Sequence, residues 1–215
     1  CRAPAARPRA PLPGAFRRPR AAPPGPPSSV GGSVTEWAAD AWRTGWGRAG
    51  DLASDVSQAI GVPWGGRLAN GVQLPKSGPG FRFVRYGQWG TGRMIKGIEF
   101  IGAQVAAAGG SMEVGDISYK SGGMIRRHKS HQNGRDVDIF FIGGTGHFDV
   151  AKNWRLVRAA VENPHFKATN IFVSNERRAQ LLRYARSKGD PAAARAAALM
   201  SYSPGHHDHF HIRIS

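Results

Sequence analysis

Residues 128–142 read His128-Lys129-Ser130-His131-Gln132-Asn133-Gly134-Arg135-Asp136-Val137-Asp138-Ile139-Phe140-Phe141-Ile142. The apolar run from Val137 to Ile142 predicts a buried strand that stops at Gly143-Gly144. Side chains alternate faces along a strand, so Val137, Ile139 and Phe141 share one face. Asp136 and Asp138 fall on the other. A carboxylate held against a buried strand costs several kcal/mol unless it is paired or bound to a cation.

A second stretch, Pro204-Gly205-His206-His207-Asp208-His209-Phe210-His211-Ile212-Arg213-Ile214, repeats the pattern. Phe210, Ile212 and Ile214 predict the core face of a closing strand, which puts His209 and His211 together on the opposite face. Six of the eight histidines lie in these two stretches. Two histidines and one carboxylate from different strands form a mixed nitrogen and oxygen set that suits Zn²⁺, with a fourth position left for water. A zinc finger is excluded because there is no cysteine pair, and neither His-Glu-x-x-His nor Gly-x-Ser-x-Gly occurs.

Around these two strands the pattern predicts a strand at 80–85 and a helix from Thr91 to Ala108 with Met94, Ile98, Ile101, Val105 and Ala108 on one face. Further strands are expected at 111–117 and 169–173. Helices are expected at 153–162, 176–188 and 191–200, the last with Pro191 in its first turn. Strands and helices do not alternate regularly. The expected class is therefore α+β, a small antiparallel sheet flanked by helices in a single catalytic domain.

The 215 residues carry a formal charge of +16 with 40% hydrophobic side chains. No run approaches the ~18 apolar residues of a membrane-spanning helix. One cysteine excludes a disulfide scaffold, so the domain must hold by packing. Residues 1–32 contain nine of the fifteen prolines and six arginines but no acid. With only Leu12, Phe16 and Val30 as large apolar side chains, this segment is expected to be a disordered tether. Removing it leaves +10 on the remainder. Residues 33–65 are expected to form a short helical accessory segment, with Trp37, Trp42, Leu52, Val56 and Ile60 at loosely helical spacing interrupted by Gly45, Gly47 and Gly50. Nucleic-acid binding would need aromatic side chains interleaved with basic ones on one surface, whereas here the aromatics fall on expected core elements. No nucleic-acid partner is expected.

The motifs Gly115-Asp116-Ile117-Ser118, Gly122-Gly123 and His128-Lys129-Ser130-His131 through Asp138-Ile139 resemble those of the penicillin-insensitive murein endopeptidases of bacteria, as does His206-x-x-His209-x-His211-Ile212-Arg213. Leu68 to Pro75 and Gly78 to Phe81 resemble the same family's opening strand, so the resemblance covers about residues 66–215. It implies a zinc peptidase fold shared with lysostaphin-type and D-Ala-D-Ala peptidases, with one zinc ion per chain. His131 and Asp138 match the family's His-x₆-Asp motif, and His211 matches the third ligand. His209 takes the general-base position. His128 and His206 match further active-site histidines that orient water or stabilise the oxyanion; His207 is an extra residue that leaves a one-position ambiguity with His206. Some related dipeptidases carry Glu where this chain has His209, which points to the endopeptidase branch.

The implied reaction is hydrolysis of D-alanyl-meso-diaminopimelyl cross-links between peptidoglycan peptide stems, without a serine nucleophile and so insensitive to β-lactams. The alternatives are a zinc D,D-carboxypeptidase or L-Ala-D-Glu endopeptidase of the same fold, or a non-enzymatic basic protein that binds the cell wall. The expected location is the periplasm or cell envelope. Cys1 followed by a Pro/Ala-rich tether resembles a mature bacterial lipoprotein, which implies membrane attachment through an acylated Cys1; the alternative is that Cys1 only marks where this sequence starts.

Overall fold

The computed structural model describes residues 56–215. The tether expected at 1–32 and most of the accessory segment lie outside these residues. The part of that segment that is described departs from the helical expectation. Gln58–Ile60 forms a strand, β1, antiparallel to β2 (Arg67–Ala69) across the glycine-rich turn at 61–66. Gly66 shows why the turn needs glycine, since a Cβ there would lie 2.4 Å from the Ile60 carbonyl oxygen.

The central sheet has seven strands, built from β4 (Ser77–Gly78), β5 (Phe81–Phe83), β7 (Met112–Val114), β8 (Asp136–Phe140), β9 (Ala168–Val173), β10 (Met200–Tyr202) and β11 (His209–Ile214). Their order across the sheet is β10-β9-β11-β8-β7-β5-β4. The four strands β9, β11, β8 and β7 are mutually antiparallel in sequence of pairing. Parallel pairs flank them, β10 with β9 and β7 with β5. A separate two-stranded ribbon joins β3 (Val72–Gln73) to β6 (Trp89–Gly90). The class is α+β.

Four helices complete the described fold: α1 (Gly92–Ala107), α2 (Val150–Val161), α3 (Asn175–Ser187) and α4 (Ala193–Leu199). In α1 the Thr91 hydroxyl accepts from the Met94 N–H, and Met94, Ile98, Ile101 and Val105 are buried as their spacing predicts. The helix ends at Gly109, whose φ of +66° suits a C-terminal cap. Helix α2 starts at Val150, earlier than expected, because Asp149 accepts from the Lys152 N–H. Asn153 is then free to bond both backbone groups of Ile142, tying the helix to the end of β8. Pro191 precedes α4 instead of lying within it. Among the described residues, no helix is long and apolar enough to cross a membrane.

Strands β8 and β11 place one face in the core and leave the other for chemistry. Val137, Ile139, Phe210, Ile212 and Ile214 join residues of α1 and α2 in one hydrophobic cluster. Across the pair, His211 faces Asp138, Arg213 faces Asp136 and His209 faces Phe140. The alternation read from the sequence thus puts two acids and two histidines side by side.

Candidate metal centre

The loop before β8 delivers the other two histidines. His131 has a φ of +66°, an uncommon backbone for a side chain with a Cβ. Its N–H donates to Asp136 Oδ2 at 3.1 Å, and its ring approaches the Ile117 carbonyl oxygen through Nδ1 at 3.2 Å. A carbonyl oxygen can only accept, so Nδ1 carries a proton and Nε2 is the nitrogen left to meet a cation or a second proton. That nitrogen lies 3.2 Å from Asp138 Oδ1. Both atoms are buried without a hydrogen-bond partner. An imidazole nitrogen and an ionised carboxylate oxygen face each other in a dry site, an arrangement that needs a positive charge, either a second ring proton or a bound cation.

His211 Nδ1 lies 3.4 Å from the same Asp138 oxygen, and its Nε2 lies 3.2 Å from Asp136 Oδ1 but out of line for a hydrogen bond. His128 enters from the loop, with Nε2 3.1 Å from Asp116 Oδ2 and Nδ1 3.7 Å from Asp138 Oδ2. Ligand atoms of His128, His131 and Asp138 lie within 4.8 Å of one another. The His131 ring stands 4.4 Å from that of His128 and 4.7 Å from that of His211, centre to centre. Asp138 is thus ringed by imidazole nitrogens. The donor set fits a borderline metal such as zinc, which takes imidazole and carboxylate ligands.

His209 and His206 lie at the edge of this group. Asp208 holds His209 Nδ1 at 2.6 Å, which turns Nε2 toward Asp138 Oδ1, 3.7 Å away. His206 Nδ1 lies 3.1 Å from the Ser203 carbonyl oxygen and 3.2 Å from that of Pro204, so Nδ1 is again the protonated nitrogen. The His206 ring stands 5.0 Å from His209 and 5.4 Å from His211. His207 instead lines a neighbouring groove with Asp116 and Asp208.

The electrostatics follow from burial and pairing. Burial alone would raise the Asp138 carboxyl, but His131, His211 and His209 outweigh it and hold the group well below the ordinary carboxylate range. Asp136 behaves likewise, with burial overcome by His211 and by Arg213, whose Nε donates to it at 2.7 Å. Both acids are ionised. Burial works against a proton on His131, yet the Asp138 charge wins and pushes that imidazole up. Burial dominates at His206 and His211 and pushes both down.

Two supporting groups were not assigned roles from the sequence. Asp116 accepts from the backbone N–H groups of Tyr86 and Gly87 while it holds His128. Arg213 stacks between the rings of Trp64 and Phe172 while it clamps Asp136. Both belong to motifs noticed in the sequence, Gly115-Asp116 and His211-Ile212-Arg213. Their partners come from elements too distant for spacing to reveal.

A family model described as penicillin-insensitive murein endopeptidase matches residues 59–190. That segment holds His128, His131 and Asp138; His206, His209 and His211 lie beyond it. Among curated proteins, a penicillin-insensitive murein endopeptidase of Klebsiella pneumoniae subsp. pneumoniae is 32% identical over 102 residues, 45% of this chain and 37% of that protein. One from Klebsiella pneumoniae (strain 342) is 31% identical over 102 residues, with the same shares covered. The matches thus span little more than a third of those relatives' length.

Proposed function

The chain belongs to the penicillin-insensitive murein endopeptidase family, and we propose that it is a zinc-dependent hydrolase of peptide cross-links in bacterial peptidoglycan, cutting the D-alanyl-meso-diaminopimelyl amide. The observation that carries this reading is the pair His131 Nε2 and Asp138 Oδ1, buried 3.2 Å apart without a hydrogen-bond partner. His131, Asp138 and His211 would hold the ion. When bound, zinc supplies a Lewis acid that polarises an amide carbonyl and acidifies water.

The side chains around it have complementary tasks. Asp208 fixes the proton of His209 on Nδ1, so the Nε2 lone pair is the base that takes a proton from the attacking water. The same Nε2 then gives that proton to the departing amine nitrogen. His206 is neutral at pH 7 and keeps its proton on Nδ1 for the Ser203 and Pro204 carbonyls. Its Nε2 accepts, which suits it to orient water and not to donate to an oxyanion. His128, donating to Asp116 through Nε2, turns an Nδ1 lone pair toward Asp138.

A second reading makes His128 the third ligand in place of His211, because its ring completes a group of ligand atoms that all lie within 4.8 Å of one another. Zinc retention in His128→Ala and His211→Ala separates the two. Asp136 supports the His211 assignment, since a carboxylate beside the outer nitrogen of a ligand histidine is the usual means of orienting it.

The activity is tested by digesting purified cross-linked and monomeric muropeptides with and without a chelator. Loss of dimers with a matching gain of intact monomers, abolished by chelation, is the expected result. Release of free D-alanine from monomers would establish the carboxypeptidase alternative instead. By this reading the protein works in the periplasm or cell envelope.

A further inference from the structure

The cluster around Asp138 stands between two grooves. One, of about 640 Å³, runs past Trp64, Phe172, Pro204 and His206. The other, of about 580 Å³, runs past Arg85, Tyr86, Arg126 and Arg127. His128, Asp138 and His209 line both. A chain laid across the site therefore has one arm in each groove, and both grooves carry cations: Arg127 lines both, Lys129 and Arg213 the first, Arg85 and Arg126 the second.

The acids on the Arg85 side are already engaged. Asp116 is held by His128 and two backbone N–H groups, Asp208 by His209, and Asp138 belongs to the cluster. The arginines are not. Among the described residues none of Arg85, Arg126 and Arg127 pairs with a carboxylate; Arg85 lies only against the Phe140 ring, 5.2 Å from its centre. In the other groove Arg213 is committed to Asp136, which leaves Lys129, a single ammonium without the guanidinium fork, as the free cation there among the described residues besides the shared Arg127. Arg127 is also held at a φ of +80°, where glycine would rest without strain. Backbone strain of this kind persists where the surrounding structure imposes it and clusters at binding sites. Here it keeps a guanidinium beside His128, at the point where the two grooves meet.

We propose that Arg85, Arg126 and Arg127 form a carboxylate-binding subsite that receives the arm of the cross-link bearing free carboxylates. Guanidinium forks match carboxylates in shape as well as charge. The inference rests on the endopeptidase reading for the identity of the substrate, but not for the presence of the site.

The test uses the full chain, the double variant Arg85→Gln/Arg126→Gln, and Arg127→Gly. Each is assayed on two cross-linked muropeptide dimers, one with free carboxylates and one with those carboxylates amidated. The parent is expected to favour the free acid through KM. Both variants should raise KM for the free acid about tenfold or more, leave kcat within about twofold, and lose the preference. Arg127→Gly should melt no lower than the parent, because glycine relieves the strained backbone. Unchanged KM, or equal losses on both dimers, would overturn the subsite. If the parent cleaves neither dimer, the endopeptidase reading fails. Equilibrium binding of the free-acid dimer to chelator-treated protein then decides the subsite: weaker binding by the variants supports it, and equal binding overturns it.

Discussion

Replacing Asp136 by Asn is the most informative single change in this molecule. The carboxylate is fully buried; its two oxygens accept from three N–H groups and lie beside a fourth nitrogen. Arg213 approaches through Nε at 2.7 Å and Nη2 at 3.3 Å, the His131 N–H at 3.1 Å, and His211 Nε2 at 3.2 Å. Asparagine keeps the shape and one acceptor oxygen, but loses the charge and turns an N–H₂ group toward donors. Breaking a buried ion pair on one side costs about 3–5 kcal/mol. Arg213 retains some exposure and its stacking on Trp64 and Phe172, so the lower end, about 3 kcal/mol, is expected. Asp136 also steadies the backbone of one candidate ligand and the ring of another, so zinc affinity should fall about 10- to 100-fold. Urea denaturation in excess chelator measures the first effect, and competition with a chromophoric chelator the second. A stability change below about 1 kcal/mol with zinc affinity within about threefold of the parent would refute the reasoning.

Three further outcomes are expected. Metal analysis should find about one zinc per chain in the parent and in His209→Ala, and almost none in Asp138→Ala or His211→Ala, with turnover lost in all three variants; a loaded His211→Ala beside an empty His128→Ala would move the third ligand to His128. Gly97→Ala should destabilise by about 1–3 kcal/mol although alanine is the better helix former by about 1 kcal/mol, because the new Cβ would lie 2.1 Å from a ring carbon of buried Phe166; an equal or raised urea midpoint would contradict this. At Asp190, burial is outweighed by the Trp154 indole N–H, the Ala192 N–H and Arg158, so the folded carboxyl titrates below its unfolded value. Its stabilisation is therefore full above the unfolded pKa of about 4 and is lost as pH falls through the lowered folded value. Asp190→Asn should be less stable than the parent by roughly 1 kcal/mol at pH 7, with the gap closing under acid; a gap constant with pH would count against the pairing.

The parts of the fold legible in the sequence are those where one segment alone carries the signal. The alternation of β8 and β11 and the apolar stripe of α1 each span enough residues to fix a face. The short strands β1 to β4, β6 and β10 are two or three residues long and show no period. They are strands because of what lies beside them, which no local pattern records. Ile60 illustrates the failure: its spacing from Val56 fits a helix, but pairing with Arg67 across a glycine turn makes it extended. At the site, the histidines and Asp138 stand out by residue type. Asp116, Asp208 and Arg213 do not, since their significance lies in which nitrogen or oxygen they hold across the fold.

Strand β11 enters the sheet between β8 and β9 instead of adding to an edge. It supplies His209 and His211 to a cluster whose His128, His131 and Asp138 lie about 70 to 80 residues earlier in the chain. Closing so long a loop is slow and entropically costly, and the two neighbours must be in place to receive the strand. Assembly of the reactive cluster is therefore coupled to completion of the sheet. A molecule with β11 undocked lacks both the proposed base and one proposed ligand, so under the proposed function folding itself acts as a checkpoint on hydrolysis.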